Sequence, residues 1–171
     1  MESPATEADL MAFLQDLGIE TETVRHEPVF TVEEAQEHRG ELAGGHCKCL
    51  FVRDKKKRRA LIVVDENRRV DLAGLAEQTG LGRLSFGSAD SLKAMLGVVP
   101  GSVTPFALVN ARVTDGGEPP LMVVLDAAML GHALLHYHPL HNAATTAIAP
   151  DDLLRFIRAC GYEPLIVDMD A

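Results

Sequence analysis

The chain has 171 residues, of which 47% are hydrophobic and 24% charged, and these proportions are typical of one globular domain with a substantial core. Its formal net charge of −9 has the wrong sign for a protein that coats nucleic acid through bulk attraction to phosphates, which argues against a DNA-binding role. No apolar run reaches the ~20 residues that span a bilayer, and the acidic start of the chain has no signal-peptide pattern, so we expect a cytoplasmic protein that binds no membrane.

The predicted elements mix helices with strands. They are, in chain order, a helix over 6–17, a strand at Thr21–Arg25, a helix over 32–38, strands at Lys48–Arg53 and Ala60–Val64, helices over 71–79 and 88–96, strands at Leu121–Leu125 and Ala143–Ile148, a helix over 150–160 and a strand at Leu165–Val167. This order favours a single α+β domain with a largely antiparallel or mixed sheet.

Helix boundaries are marked by capping residues and glycines. Thr31 and Glu34 form a capping box, and Asp71 and Ser88 are expected to cap two further helices. Glycines follow four of the helices as stops: Gly18, Gly80, Gly97 and Gly161. The Pro- and Gly-rich stretch at Asp115–Pro120 is typical of a hairpin connection, so we do not place a domain boundary there.

The cysteines and a basic cluster are the first candidates for function. Cys47, Cys49 and Cys160 form an odd set in a chain without an export signal, which predicts reduced thiols. Six basic residues fall between Arg53 and Arg59. The cluster is typical of a solvated hairpin turn, and it also suits a phosphate-facing patch for an RNA acceptor stem.

Lys48 directly follows a glycine loop and begins an apolar strand. There it either lies exposed on the polar face of an edge strand or aims its ammonium group into a pocket. His46, Cys47 and Cys49 also raise the question of metal, but Cys-x-Cys lacks the paired knuckles of structural zinc sites.

Two further segments could contact a ligand. Val98–Phe106 contains two prolines, Gly101 and the hydroxyls of Ser102 and Thr104, and it serves either as a rigid connector or as a loop that holds carbonyl and hydroxyl groups. His136–Thr146 contains three histidines but no carboxylate. It fits a polar turn that leads into a strand and forms a pocket wall, or a metal site.

Several mechanisms have no motif in this chain. It lacks Gly-x-Ser-x-Gly, a P-loop, Gly-x-Gly-x-x-Gly and His-Glu-x-x-His. An enzymatic apparatus would therefore consist of lysine, hydroxyls, backbone amides and histidine, and we predict neither a cofactor nor a metal.

Five segments in this order resemble the YbaK/ProX family, the prolyl-tRNA-synthetase-associated editing domain. They are Pro28–Ala35, Gly45–Phe51 with the basic residues after it, Arg83–Ser88, Gly101–Pro105 and His138–Thr146. The resemblance covers about residues 8–168 and implies an α+β fold whose curved, barrel-like sheet surrounds a pocket. It also implies hydrolysis of a wrong amino acid from the 3′ end of tRNA, and the signature is closest to freestanding deacylases that clear alanine from tRNA(Pro).

The resemblance also assigns roles to residues. Lys48 matches the family's lysine, which would contact the terminal nucleotide and the ester, while Gly101 and its neighbours would position the aminoacyl carbonyl. His138 would line the pocket and hold substrate or water, and Arg83 would touch the RNA end. The other residues expected around the substrate are Phe30, Thr31, Cys49, Ser102, Val103, Thr104, Asn142 and Thr145.

One position departs from the family pattern. Asn commonly follows the lysine, whereas here Cys49 follows it and cannot replace the amide's donors and acceptor. The principal interpretation remains a deacylase of mischarged tRNA(Pro), in transient contact with prolyl-tRNA synthetase. The alternatives are a catalytically weakened binding module, a deacylase for cysteine or serine, and a metalloenzyme that uses His136, His138 and His141.

Overall fold

The computed structural model describes residues 4–25, 45–66, 68–113 and 117–168. The helices are α1 (Glu7–Asp16), α2 (Leu72–Thr79), α3 (Ala89–Leu96) and α4 (Pro150–Ala159). The strands are β1 (Glu22–Arg25), β2 (Gly45–Arg53), β3 (Arg59–Asp65), β4 (Ser85–Phe86), β5 (Met122–Asp126), β6 (Leu135–Tyr137), β7 (Ala144–Ile148) and β8 (Leu165–Val167). Short 3₁₀ helices occupy Pro105–Asn110 and Met129–Gly131.

The helix ends show which capping predictions hold. Ser88 caps α3 by accepting a hydrogen bond from the backbone N–H of Ser91, as predicted. Asp71 occupies the N-cap position of α2, but its side chain makes no cap hydrogen bond, so that prediction was wrong. Gly80 and Gly97 end α2 and α3 in the left-handed conformation that glycine adopts without strain.

The strands follow the hydrogen-bonded order β1-β7-β6-β2-β3-β5-β8, and β4 also pairs with β2. The β6–β2, β3–β5 and β5–β8 pairs are parallel, whereas the other four pairs are antiparallel. This arrangement confirms the predicted mixed sheet of an α+β fold.

The predicted helix over 32–38 lies outside the described residues. The hairpin expected at Asp115–Pro120 was wrong, because β5 lies between β3 and β8 and pairs with both in parallel. The described part of this stretch, residues 117–120, leads into β5, which lies next to the edge strand β8.

Apolar side chains pack on both faces of the sheet. The larger cluster buries α1 and α4 against it through residues such as Leu10, Leu14 and Phe156, and each such side chain contributes roughly 1.5–3 kcal/mol. A smaller cluster on the other face includes Ile62 and Leu75. Among the described residues, no helix combines the length and the apolar character needed to span a membrane.

Candidate functional site

The strand register brings several predicted site residues to one face of the sheet. Position 46 of β2 pairs with His136 of β6, and His136 pairs in turn with Ala147 of β7. Because side chains alternate between faces, Lys48 and Thr145 lie on the same face as His136. Val24 joins them, since it pairs with Thr145. We call Lys48, His136, Thr145 and Val24 the lysine face.

His138 follows the last residue of β6 and is held by its backbone surroundings. Its Nδ1 lies 2.9 Å from the carbonyl oxygen of Ala144, and since a carbonyl oxygen only accepts, Nδ1 carries the proton. In the neutral ring Nε2 is then the acceptor nitrogen. The contact therefore orients His138 as a ring that can accept a proton at Nε2.

His141 anchors the same segment to the first helix. Its Nδ1 accepts a hydrogen bond of 3.1 Å from the N–H of Ala143, so Nε2 is the donor that lies 2.7 Å from Oε1 of Glu7. Arg25 donates to the two oxygens of the same carboxylate through its two terminal guanidinium nitrogens. The hydrogen bond from Arg25, with a further one from His141, outweighs burial and lowers the pKa of Glu7 to about 2.

The metal interpretation of the histidines gains no support from this geometry. His138 and His141 engage a backbone carbonyl and Glu7, respectively, instead of a common point. Within the described ranges, no three His, Cys, Asp or Glu side chains are placed to hold a metal ion.

Leu140, between the two histidines, has a φ of 76°, which is a strained conformation for a bulky side chain.

The Gly101–Thr104 loop presents backbone more than hydroxyls. Ser102 and Thr104 are buried, and the Thr104 hydroxyl accepts a hydrogen bond from the N–H of Phe106. Thr104 therefore caps the following 3₁₀ helix, and its expected contact with a substrate stays a prediction. Gly101 is exposed, with a φ of 93°, so a close backbone approach is feasible at that position.

An aromatic contact ties this loop to the histidine segment. The ring of Phe106 packs edge-on against that of Tyr137, with centroids 5.9 Å apart. Phe106 comes two residues after Thr104, and Tyr137 directly precedes His138. The core therefore joins the 3₁₀ helix that follows the glycine loop to the strand that precedes His138.

The structure separates Cys49 from Lys48. The two residues are adjacent on β2, so their side chains leave opposite faces, and Cys49 packs against the larger core cluster. Burial, together with the neighbouring Cys47, raises the pKa of the Cys49 thiol. Burial likewise raises the pKa of Cys47 to about 12. The expected contact of Cys49 with a substrate stays a prediction, and no disulfide joins the described cysteines.

The remaining predicted residues have different outcomes. Arg83 is exposed just before β4, in which Ser85 pairs with Arg53. Because β4 is antiparallel to β2, Arg83 lies past Arg53, which is itself five residues, or roughly 17 Å at about 3.3 Å per residue, along the strand from Lys48. Asn142 is half-buried in the histidine segment. Phe30 and Thr31 lie outside the described residues.

Sequence reasoning missed two residues of this region. Glu7 belongs to an ordinary capped helix, and its contact with His141 joins residues 134 positions apart, which no local pattern signals. His136 was noticed only as part of a histidine cluster, although its strand pairing places it beside the strand of Lys48. The three-residue strand β6 is too short for periodicity to reveal it.

Comparison with known proteins gives a consistent result. A family model described as an aminoacyl-tRNA editing domain matches residues 26–156. Prolyl-tRNA synthetase associated domain-containing protein 1 of Bos taurus is 40% identical over 172 residues, covering 95% of this chain and 97% of the bovine protein. Prolyl-tRNA editing protein ProX of Acetoanaerobium sticklandii is 33% identical over 153 residues, covering 89% and 90%.

A solved structure extends the likeness to three dimensions. The crystal structure of a protein proposed to be a trans-editing enzyme for prolyl tRNA synthetase superposes with a TM-score of 0.69 over 98% of both chains. Its sequence identity to this chain is 21%, so the superposition shows a shared fold.

Proposed function

Because the chain belongs to the aminoacyl-tRNA editing domain family, we propose that it acts in trans to hydrolyse the ester of a mischarged aminoacyl-tRNA, with Ala-tRNA(Pro) as its preferred substrate. The observation that supports the proposal is the lysine face, since the register of β2, β6 and β7 puts Lys48, His136 and Thr145 on the same side of the sheet. In this proposal the protein binds the acceptor end of the mischarged tRNA and acts in the cytoplasm. It also makes transient contact with prolyl-tRNA synthetase.

The chemistry proposed for the site needs no cofactor or metal. The Lys48 ammonium stabilises negative charge that develops on the ester oxygen as water attacks. The backbone at Gly101 positions the aminoacyl carbonyl. His138, whose Nδ1 donates to Ala144, presents Nε2 as the acceptor for a proton of that water. The bond between the acyl carbon and the ribose oxygen then breaks, and the ribose leaves as a hydroxyl that takes the proton from His138.

The preference for a small amino acid follows from exclusion by size. A pocket that fits a methyl group rejects the proline ring by steric overlap, whereas it discriminates weakly among alanine, serine and cysteine. Deacylation of Cys-tRNA(Pro) or a serine ester is therefore the nearest alternative. A second candidate is a weakened module that binds tRNA without rapid hydrolysis, and its support is the sequence departure at Cys49, where the family commonly has Asn.

Deacylation of three substrates, Ala-, Pro- and Cys-tRNA(Pro), tests the proposal in the presence of a chelator. We expect rapid loss of alanine, slower loss of cysteine and no loss of proline, and a fall of about 10²-fold or more in Lys48→Ala, since removal of one electrostatic stabiliser has this effect in other enzymes. Lys93→Ala removes the same charge from an exposed position on α3 and is the matched control.

The outcomes separate the candidates. Hydrolysis that survives in Lys48→Ala at the rate of the control contradicts the role of Lys48. Tight tRNA binding without hydrolysis of any of the three esters contradicts the deacylase and supports the binding module. Activity that the chelator abolishes contradicts the metal-free chemistry.

A further inference from the structure

A basic cleft lies at the end of β2 that is remote from Lys48. It has a volume of about 360 Å³ and is lined by Arg53, Lys57, Arg59, Phe86, Ser88 and Ser91. Its walls are the β2–β3 hairpin, the short strand β4 and the start of α3. No acidic side chain of the described residues lines it, although the chain carries a net charge of −9.

The charges in this cleft lie close together without an acid between them. Arg53 and Arg59 are direct cross-strand partners, and like charges in that position repel each other. Asp54, in the same hairpin, is buried and accepts hydrogen bonds from Arg58 and from backbone N–H groups, so it is engaged elsewhere. Asp90 is exposed in the first turn of α3 but does not line the cleft. A bound anion would relieve the repulsion.

Lys57 occupies a backbone position that normally selects glycine. Its φ is 64°, in the hairpin turn closed by hydrogen bonds between Asp54 and Lys57 and between Asp54 and Arg58. A side chain in the left-handed region costs stability that glycine would not lose. The lysine side chain thus lines the cleft at a position where glycine would cost less.

Phe86 adds an aromatic surface to the cations. Its side chain is 65% exposed beside the arginines of the cleft. An exposed aromatic ring next to a positively charged groove is the combination on which nucleic-acid bases stack while their phosphates are neutralised.

We propose that this basic cleft is a second RNA-binding surface, which holds phosphates through Arg53, Lys57 and Arg59 and stacks one unpaired base on Phe86. The inference rests on the proposed function only in its choice of tRNA as the partner. Lys48 and Arg53 are five positions apart on β2 and leave opposite faces of the strand. The cleft is thus separate from the lysine face, and it contributes to tRNA affinity rather than to hydrolysis of the ester.

Binding of uncharged tRNA to the full chain tests the inference without any catalytic step. We expect Lys57→Gly to weaken tRNA binding at least about threefold. We also expect the slope of the logarithm of the binding constant against the logarithm of salt concentration to decrease in magnitude by about one. Thermal unfolding should show no loss of stability in the same variant, because glycine relieves the left-handed backbone at position 57. Lys93→Ala serves again as the charge-matched control.

Phe86 separates base stacking from simple charge attraction. Phe86→Ala should weaken tRNA binding about fivefold or more, while binding of heparin, a polyanion without bases, should stay unchanged. Phe86→Leu keeps apolar bulk without a π-face and should behave like Phe86→Ala.

Three results would overturn the inference. One is that Lys57→Gly and Phe86→Ala bind tRNA as tightly as the Lys93→Ala control does. Another is that Phe86→Ala weakens the binding of heparin as much as the binding of tRNA. The third is that Lys57→Gly lowers the melting temperature enough to account for its weaker binding of tRNA. Failure of the wild-type protein to hydrolyse any ester would refute the proposed function and leave this binding test intact.

Discussion

Replacement of Glu7 by glutamine should destabilise the protein in a pH-dependent way. Glu7 binds Arg25 of β1 and His141 of the histidine segment, and its pKa is lowered from 4.5 to about 2, first by the hydrogen bond from Arg25. This lowering of the Glu7 pKa corresponds to about 3.4 kcal/mol in the free energy of unfolding, at ~1.36 kcal/mol per pKa unit. The side chains of Arg25 and His141 are 65% and 39% exposed, so solvent screening reduces the expected effect to about 1 kcal/mol.

The direction of the pH dependence follows from the lowered pKa. The carboxylate stabilises the folded state fully above its unfolded value of 4.5, and this contribution is lost as the pH falls toward 2. Urea unfolding of Glu7→Gln and wild type should therefore differ by about 1 kcal/mol at pH 7 and by clearly less at pH 3.

A matched control distinguishes this network from an ordinary surface ion pair. Glu163→Gln removes a carboxylate that also pairs with an arginine, Arg158, but that is 74% exposed. We expect its effect to stay below about 0.5 kcal/mol. The reasoning is refuted by equal effects of the two substitutions at pH 7, or by an effect of Glu7→Gln that is as large at pH 3 as at pH 7.

Two further predictions concern the core. Phe156→Ala should lower the free energy of unfolding by about 3–5 kcal/mol in urea titrations, because the side chain is fully buried and packs against two aromatic rings; a loss below 1 kcal/mol would contradict this packing. Burial raises the pKa of Cys47 and Cys160 to about 12 and also raises the pKa of Cys49. A thiol reagent at pH 8 should therefore modify these cysteines slowly in the folded protein and rapidly in denaturant, and rapid labelling without denaturant would show that a thiolate is accessible.

Predictions from sequence succeeded where one short segment contains the whole cause. Ser88 and Gly97 bound α3 because a hydroxyl cap and a left-handed glycine act within a few residues. The apolar runs of β2 and β3, joined by the basic turn, likewise predicted the hairpin that the register confirms. Asp71 marks the limit, since its type suits a cap but its side chain makes no cap hydrogen bond.

The candidate site could be predicted only in part, because its members meet through pairings between distant strands. Lys48 and the histidine segment were visible as motifs, but the parallel pairing of β2 with β6 decided that Lys48 and His136 share a face. Strand alternation then decided that Cys49 points into the core, away from the lysine.

The sequence by itself determined the α+β composition, the helix ends and the segments that carry lysine, glycine loop and histidines. Only the tertiary structure decided the strand order, the tie from Glu7 to His141 and the cleft that joins Arg53 to Phe86. The physical reason is the separation along the chain of the residues that each interaction joins. Helix capping and side-chain periodicity act between near neighbours in the chain, whereas strand pairing and ion pairs join whatever the packed core brings together.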